Sequence, residues 1–147
     1  MSRYLLDTNI CIHTMKGDFG LEAKLLQVGI ANCYLSELTI AELLYGIANS
    51  APDRQVSNRQ NLEKFLRLFP VTRRLGISVA LETYAQQKAH LKRIGRLQGE
   101  FDMLIGSVAV AHGLTLVTHN TRHFSDMVGI VLEDWVQEDE DEATNAR

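Results

Sequence analysis

Cysteine is scarce in this sequence: Cys11 and Cys33 are the two that occur in 147 residues, and they form neither a C-x-x-C pair nor a zinc-ligand spacing. A disulfide framework and a structural zinc therefore have no support, and a reducing cytoplasm is the expected setting. Long apolar runs are missing too. None approaches the roughly 20 residues that a membrane-crossing helix needs, and the opening MSRYLLDTN meets a carboxylate at position 7, too early for a signal peptide. Only two prolines occur, with no Pro/Ser-rich linker, low-complexity block or fixed-period repeat. The chain reads as one domain, and a domain of this size buries about 68 to 70% of the surface its unfolded chain exposes.

An excess of basic residues is the next thing absent. The formal net charge is −3, which taken alone speaks against a nucleic-acid partner, because phosphate binding usually shows as a basic surface. The location of the charge changes that reading. Residues 138 to 142 are all acidic, and without the last ten residues the chain carries 14 Lys+Arg against 13 Asp+Glu, a body of charge +1. Runs of like charge are usually solvated. We therefore expect a folded domain over residues 1–136 and an acidic, disordered tail over 137–147.

What is present is an alternation of short apolar runs with longer helix-period segments, the pattern of βα units. Arg3 to Leu6, Cys33 to Leu35 and Thr115 to Val117 read as strands, with Ile130 to Leu132 as a weaker late one. Ile77, Leu81, Tyr84, Lys88 and Leu91 recur at helical spacing up to about Arg93, as do Leu62, Phe65, Leu66 and Phe69. Thr39 to Ala48 and Asp102 to His112 are apolar almost all round, as buried helices are. Each holds one acid, Glu42 in the first and Asp102 in the second, while Glu37 and Glu100 fall outside them.

These acids admit two readings. Asp7 stands where the first strand ends and a helix begins, the place from which side chains of an open α/β sheet point into the crevice at the strands' carboxyl ends. It is equally a favoured helix N-cap. Glu42 follows Thr39 by three residues, the capping-box spacing, yet it is the one charge on an apolar helix, and Glu is almost never fully buried unpaired. Asp102 could cap its own helix. If the sheet is parallel, all three carboxylates converge, and unit charges about 4 Å apart interact by about 4 kcal/mol even at an effective dielectric of 20. Such a cluster calls for a cation, and hard oxygen ligands suit Mg2+ or Mn2+, ions that serve phosphodiester hydrolysis.

The segments YLLDTNICI (4–12), YLSELTIAELLYGI (34–47), GRLQGEFDMLIGSVAVAHGLTLVTHNTRHF (95–124) and VLEDW (131–135) resemble PIN-domain nucleases, and within them the VapC toxins of VapBC toxin-antitoxin modules. The resemblance implies a three-layer α/β/α sandwich with a short, mainly parallel sheet of four to five strands. It implies a metal-dependent endoribonuclease whose acidic metal-site residues are Asp7, Glu42 and Asp102, with Thr8, Asn9, Thr118 and Asn120 shaping the site. Asn120 stands where the family often has a fourth acid; an amide brings no charge, which weakens any claim for a second tightly held ion. Also implied are a homodimer and a cognate VapB-type antitoxin lying across the active-site groove. Relatives with a DTNICI-like opening resemble cutters of initiator tRNA in its anticodon region.

Other features are weighed against blander accounts. Lys88, Lys92, Arg93 and Arg96, with Arg73 and Arg74 upstream, could contact RNA phosphates or form a solvated face. His119 and His123 are four apart, but their segment reads as a loop with at most one helical turn, so a transition-metal pair is not expected. Trp135 reads as a packing residue closing the core rather than a base-stacking platform. Two rival functions remain: a haloacid-dehalogenase-type phosphatase, which would want a second Asp where Asn9 stands, and a catalytically silent PIN-like module whose groove binds protein.

Overall fold

The βα alternation becomes a wholly parallel five-stranded sheet in the computed structural model, which describes residues 2–136. Met1 and residues 137–147, with the expected acidic tail, lie outside the described residues. In chain order the elements are β1 (Tyr4–Leu6), α1 (Thr8–Lys16), α2 (Leu21–Val28), β2 (Cys33–Ser36), α3 (Glu37–Ala48), α4 (Gln55–Leu66), β3 (Arg74–Leu75), α5 (Leu81–Arg93), α6 (Glu100–His112), β4 (Thr115–Val117) and β5 (Leu132–Glu133). The sheet order is β3-β2-β1-β4-β5. β1 is thus central, and the chain turns to one side of it for β2 and β3 and to the other for β4 and β5.

Side chains alternate across a strand, and the two faces of this sheet bury two separate cores. Leu6, Leu35 and Val117 pack with Ile10, Leu25, Leu43 and Phe65 of α1 to α4. Leu5 and Leu116 pack with Leu91 of α5 and with Met103, Ile105 and Val108 of α6. Register keeps the faces matched, with Leu5 opposite Leu116 and Leu6 opposite Val117. Each fully buried Leu stabilises the fold by about 1.5–3 kcal/mol. Helices on both faces of one sheet make the expected three layers. Among the described residues no helix is long and apolar enough to cross a membrane.

Several boundaries differ from expectation. α3 begins at Glu37 rather than Thr39, because Ser36 caps it by accepting from the Leu38 amide. Only α6 is apolar and buried nearly all round; α3 exposes Leu44 and Tyr45, the latter 69% accessible. Glu37 and Glu100 open the helices from which the sequence pattern left them out. The fourth expected strand lies at Leu132–Glu133, two residues later than read, where it pairs with Leu116 and Val117. Phe69 belongs to the turn after α4, yet it is fully buried. The helix expected after Asp7 is α1, whereas α2 and the two-residue β3 have no counterpart in the sequence reading.

Arg73 and Arg74 are corrections as well. The Arg73 guanidinium donates to the carbonyls of Ile30, Cys33 and Leu68, and Arg74 donates to those of Phe69 and Leu66. Both fasten loops at the β3 edge and are not free for RNA. Trp135 is the packing residue that was expected, 7% exposed and edge-on to Tyr4.

Candidate active site

Parallel strands bring their carboxyl ends to one end of the sheet, and a crevice opens where the strand order reverses. Here that point lies between β1 and β4. Asp7 follows β1 and Thr118 follows β4, so residues far apart in sequence become neighbours. The Asp7 amide donates to Val117 O, and the Thr118 hydroxyl donates to Asp7 Oδ2 at 2.8 Å. Asp7 Oδ1 accepts from the Thr8 amide at 2.8 Å. Asp7 is therefore both the N-cap of α1 and a buried acid, 5% exposed.

That burial has an electrostatic consequence. Loss of hydration lifts the Asp7 pKa from 3.8 to about 6; the hydrogen bonds from Thr118 and Thr8 pull it down, while the nearby charges of Asp102 and Glu42 push it up. Asp102 and Glu42 are thus near enough to Asp7 for their charges to act on it, though less than burial does.

Neither of those two acids caps a helix. Glu42 lies in the second turn of α3, which Ser36 already caps, so the capping-box reading fails. Its Oε1 accepts from the Thr8 hydroxyl at 2.8 Å, and the buried Thr39 hydroxyl lies 3.2 Å from that of Thr8. Asp102 is the third residue of α6, whose N-cap is Gly99. A carboxylate in a first turn suits the helix dipole, but its hydrogen-bond partner is His123 Nδ1, 3.2 Å from Oδ2. Asp7 thus lies within charge range of both Glu42 and Asp102, and each of the three is held by a side chain from another element or turn.

The auxiliary residues divide. Thr8 and Thr118 hold acids directly. Asn9 Oδ1 lies 3.4 Å from the His119 amide, a long contact, and the Asn120 amide donates to Thr118 Oγ1 at 3.0 Å while its side chain is exposed. Sequence reasoning took Thr39 as a cap and missed its contact with Thr8, the His119–Asp134 pair at 3.0 Å and the His123–Asp102 pair. The two histidines had been noticed only as a metal pair, and no local signal points to carboxylates 15 or 21 residues away. Of the expected RNA contacts, Lys88 is tied to Glu100, which also accepts from Tyr84. Lys92, Arg93 and Arg96 are exposed and form no ion pair among the described residues. They lie on the end of α5 and the loop leading into α6.

Could these residues hold a divalent ion? Among the described residues no three His, Cys, Asp or Glu side chains close into a ready-made ligand set. The donor chemistry nevertheless fits: three carboxylates, one of them buried and within charge range of the other two. Hard oxygen donors that do not form a complete cage suit a cation that keeps some of its waters, as Mg2+ does.

Similarity to known proteins shows the family. The PIN domain family model matches residues 4–129. The chain is 36% identical over 137 residues to the tRNA(fMet)-specific endonuclease VapC of Shigella flexneri, covering 92% of this chain and 99% of that protein. It is 30% identical over 135 residues to ribonuclease VapC2 of Rickettsia felis, covering 90% and 97%. A solved structure of DNA-bound VapBC from Salmonella typhimurium superposes with a TM-score of 0.82 at 31% identity, covering 92% of this chain and 99% of that one. By the family model's match, the identity to these relatives and the shared fold, the chain belongs to the PIN-domain family, among the VapC ribonucleases.

Proposed function

We propose that this protein is the toxin of a type II toxin-antitoxin pair, an endoribonuclease that depends on Mg2+ or Mn2+ and whose substrate is initiator tRNA. The observation that carries the reading is the buried Asp7 at the sheet's switch point, repelled by Asp102 and Glu42. The substrate follows the Shigella relative, named for tRNA(fMet).

Asp7 and Asp102 would hold the ion, with Glu42 acting directly or through water. When bound, such an ion supplies an acidified water for in-line attack and neutralises charge developing at the phosphodiester. The chain's own residues prepare the crevice. Thr118 and the Thr8 amide orient the Asp7 carboxylate, and the Thr8 hydroxyl orients Glu42. Asn120 adds a neutral amide where a further charge would favour a second ion. No side-chain nucleophile is required. Lys92, Arg93 and Arg96 would meet RNA phosphates, whereas Lys88 is already engaged by Glu100.

A VapB-type antitoxin is the proposed partner in a cytoplasmic homodimer of toxin, in keeping with the VapBC complex that shares this fold. A cleft of about 360 Å3 lined by Ile12, Met15, Glu42, Leu43 and Leu62 opens beside Glu42, suited to an apolar antitoxin segment. Incubation of purified protein with initiator tRNA, ribosomal RNA and mRNA in Mg2+, Mn2+ or EDTA tests the enzyme reading. We expect metal-dependent cleavage, and growth arrest on expression, both lost in Asp7→Asn. Folded wild type that leaves every RNA intact in both metals would refute it, and sequencing of the cleaved ends decides the substrate.

A further inference from the structure

The turn after β4 is attached to two of the three acids at once. Thr118 holds Asp7, and five residues later His123 Nδ1 meets Asp102 Oδ2 at 3.2 Å. The second attachment is built rather than incidental. Phe124, next to His123, is fully buried, and its ring lies against Gly106 of α6 so closely that a Cβ there would stand 3.3 Å from it. Gly106 is four residues after Asp102, on the same face of α6. The helix therefore receives Phe124 in one turn and His123 in the turn before it. The His123 amide also donates to Asn120 O at 3.0 Å, which fixes the backbone that carries the ring.

An ionised carboxylate can only accept, so the proton between the pair sits on Nδ1 and points at Asp102. With Oδ2 so engaged, the contact constrains the Asp102 side chain, and its other oxygen has no hydrogen-bond partner among the described residues. We propose that His123 is a positioning residue that orients Asp102 as a ligand for the divalent ion, acting through that carboxylate rather than touching RNA or metal. The inference rests on the metal reading above and adds to it a residue outside the acidic set. His119 is the internal comparison: it lies on the same turn, but its imidazole is held by Asp134, outside the proposed ligands.

The test reads metal binding without RNA, by Mn2+ titration of the purified full chain followed by electron paramagnetic resonance. Loss of a partner that orients a metal ligand typically weakens affinity about 10- to 100-fold, and that is the range expected for His123→Ala. An asparagine amide reaches the position of Nδ1 and a glutamine amide that of Nε2. His123→Asn should therefore recover most of the affinity and His123→Gln should not. His119→Ala, which loosens the same turn without touching Asp102, should stay close to wild type. Circular dichroism establishes that each variant is folded, and if His123→Ala is not, the Asn and Gln pair decides alone. Equal affinity in those two, unchanged affinity in a folded His123→Ala, or an equal loss in His119→Ala overturns the proposal. Wild type that binds no Mn2+ overturns the metal reading itself, and the role of His123 with it.

Discussion

At the scale of single residues, Asp7 carries a cost that the fold must absorb. Its pKa is raised from 3.8 to about 6, chiefly by burial. A carboxyl group raised in this way favours the native state when protonated. The associated stability is fully present below about pH 4 and is lost as pH rises through about 6; a shift of that size corresponds to about 3 kcal/mol. In EDTA, Asp7→Asn should therefore melt higher than wild type at pH 8, with the gap closing toward pH 4. Added Mn2+ should narrow the pH 8 gap by stabilising wild type alone. Thermal melts across that range measure both. A second expectation concerns the Thr118 hydroxyl, which donates to Asp7 and lowers its pKa. In Thr118→Val the Asp7 carboxyl should titrate above 6, as carboxyl-carbon NMR would read, because the charged form loses a donor while its burial is kept.

At the scale of elements, the contact between α6 and the segment after β4 governs whether Asp102 and His123 face each other. Gly106 makes that contact possible. A Cβ at this position would stand 2.4 Å from Met127 Sδ and 2.8 Å from its Cε, with the Phe124 ring beyond. Met127 is flexible but 4% exposed, so it has little room to retreat. Gly106→Ala should lower stability by about 1–3 kcal/mol, the usual cost of overpacking a core, measured by urea unfolding. The residual folded protein should also bind Mn2+ more weakly, because the displaced turn carries His123. The β3 edge shows the opposite strategy. There Arg73 and Arg74 donate to five backbone carbonyls, of Ile30, Cys33, Leu66, Leu68 and Phe69, and so tie the two-residue strand to its surroundings.

At the scale of the whole molecule, the distribution of charge matters more than its sum. A chain of net charge −3 must still bring a polyanion to an acidic crevice, and Lys92, Arg93 and Arg96 are exposed on the connection that delivers Asp102. Reversing two of them in Arg93→Glu/Arg96→Glu should raise KM for RNA and flatten the salt dependence of cleavage, since each phosphate contact contributes a slope of about 0.7 on single strands. The melting temperature should hardly move. Initial rates at several ionic strengths provide the check.

How much of this was legible beforehand follows from the range of the interactions involved. Local patterns were enough for β1, β2, β4, α5 and the buried α6, because hydrophobic period and glycine punctuation act within a few residues. They were not enough for β3, a two-residue strand that exists only through its pairing with β2, nor for the extent of α1, whose start after Asp7 was legible but whose polar Thr8 and Asn9 break the apolar stripe. The motif DTNICI and the acids Asp7, Glu42 and Asp102 stood out in the sequence by residue type and through family resemblance. Which of them were caps did not: Ser36 and Gly99 hold those positions, and that choice depends on where strand and loop deliver the chain. The pairs His123–Asp102, His119–Asp134 and Thr8–Glu42 were invisible for the same reason. Amino-acid order determined the family, the layered fold and the identity of the acids, since each is written in short-range pattern; only the tertiary structure decided which side chains orient them, since hydrogen bonds across 21 to 111 residues depend on how the elements pack.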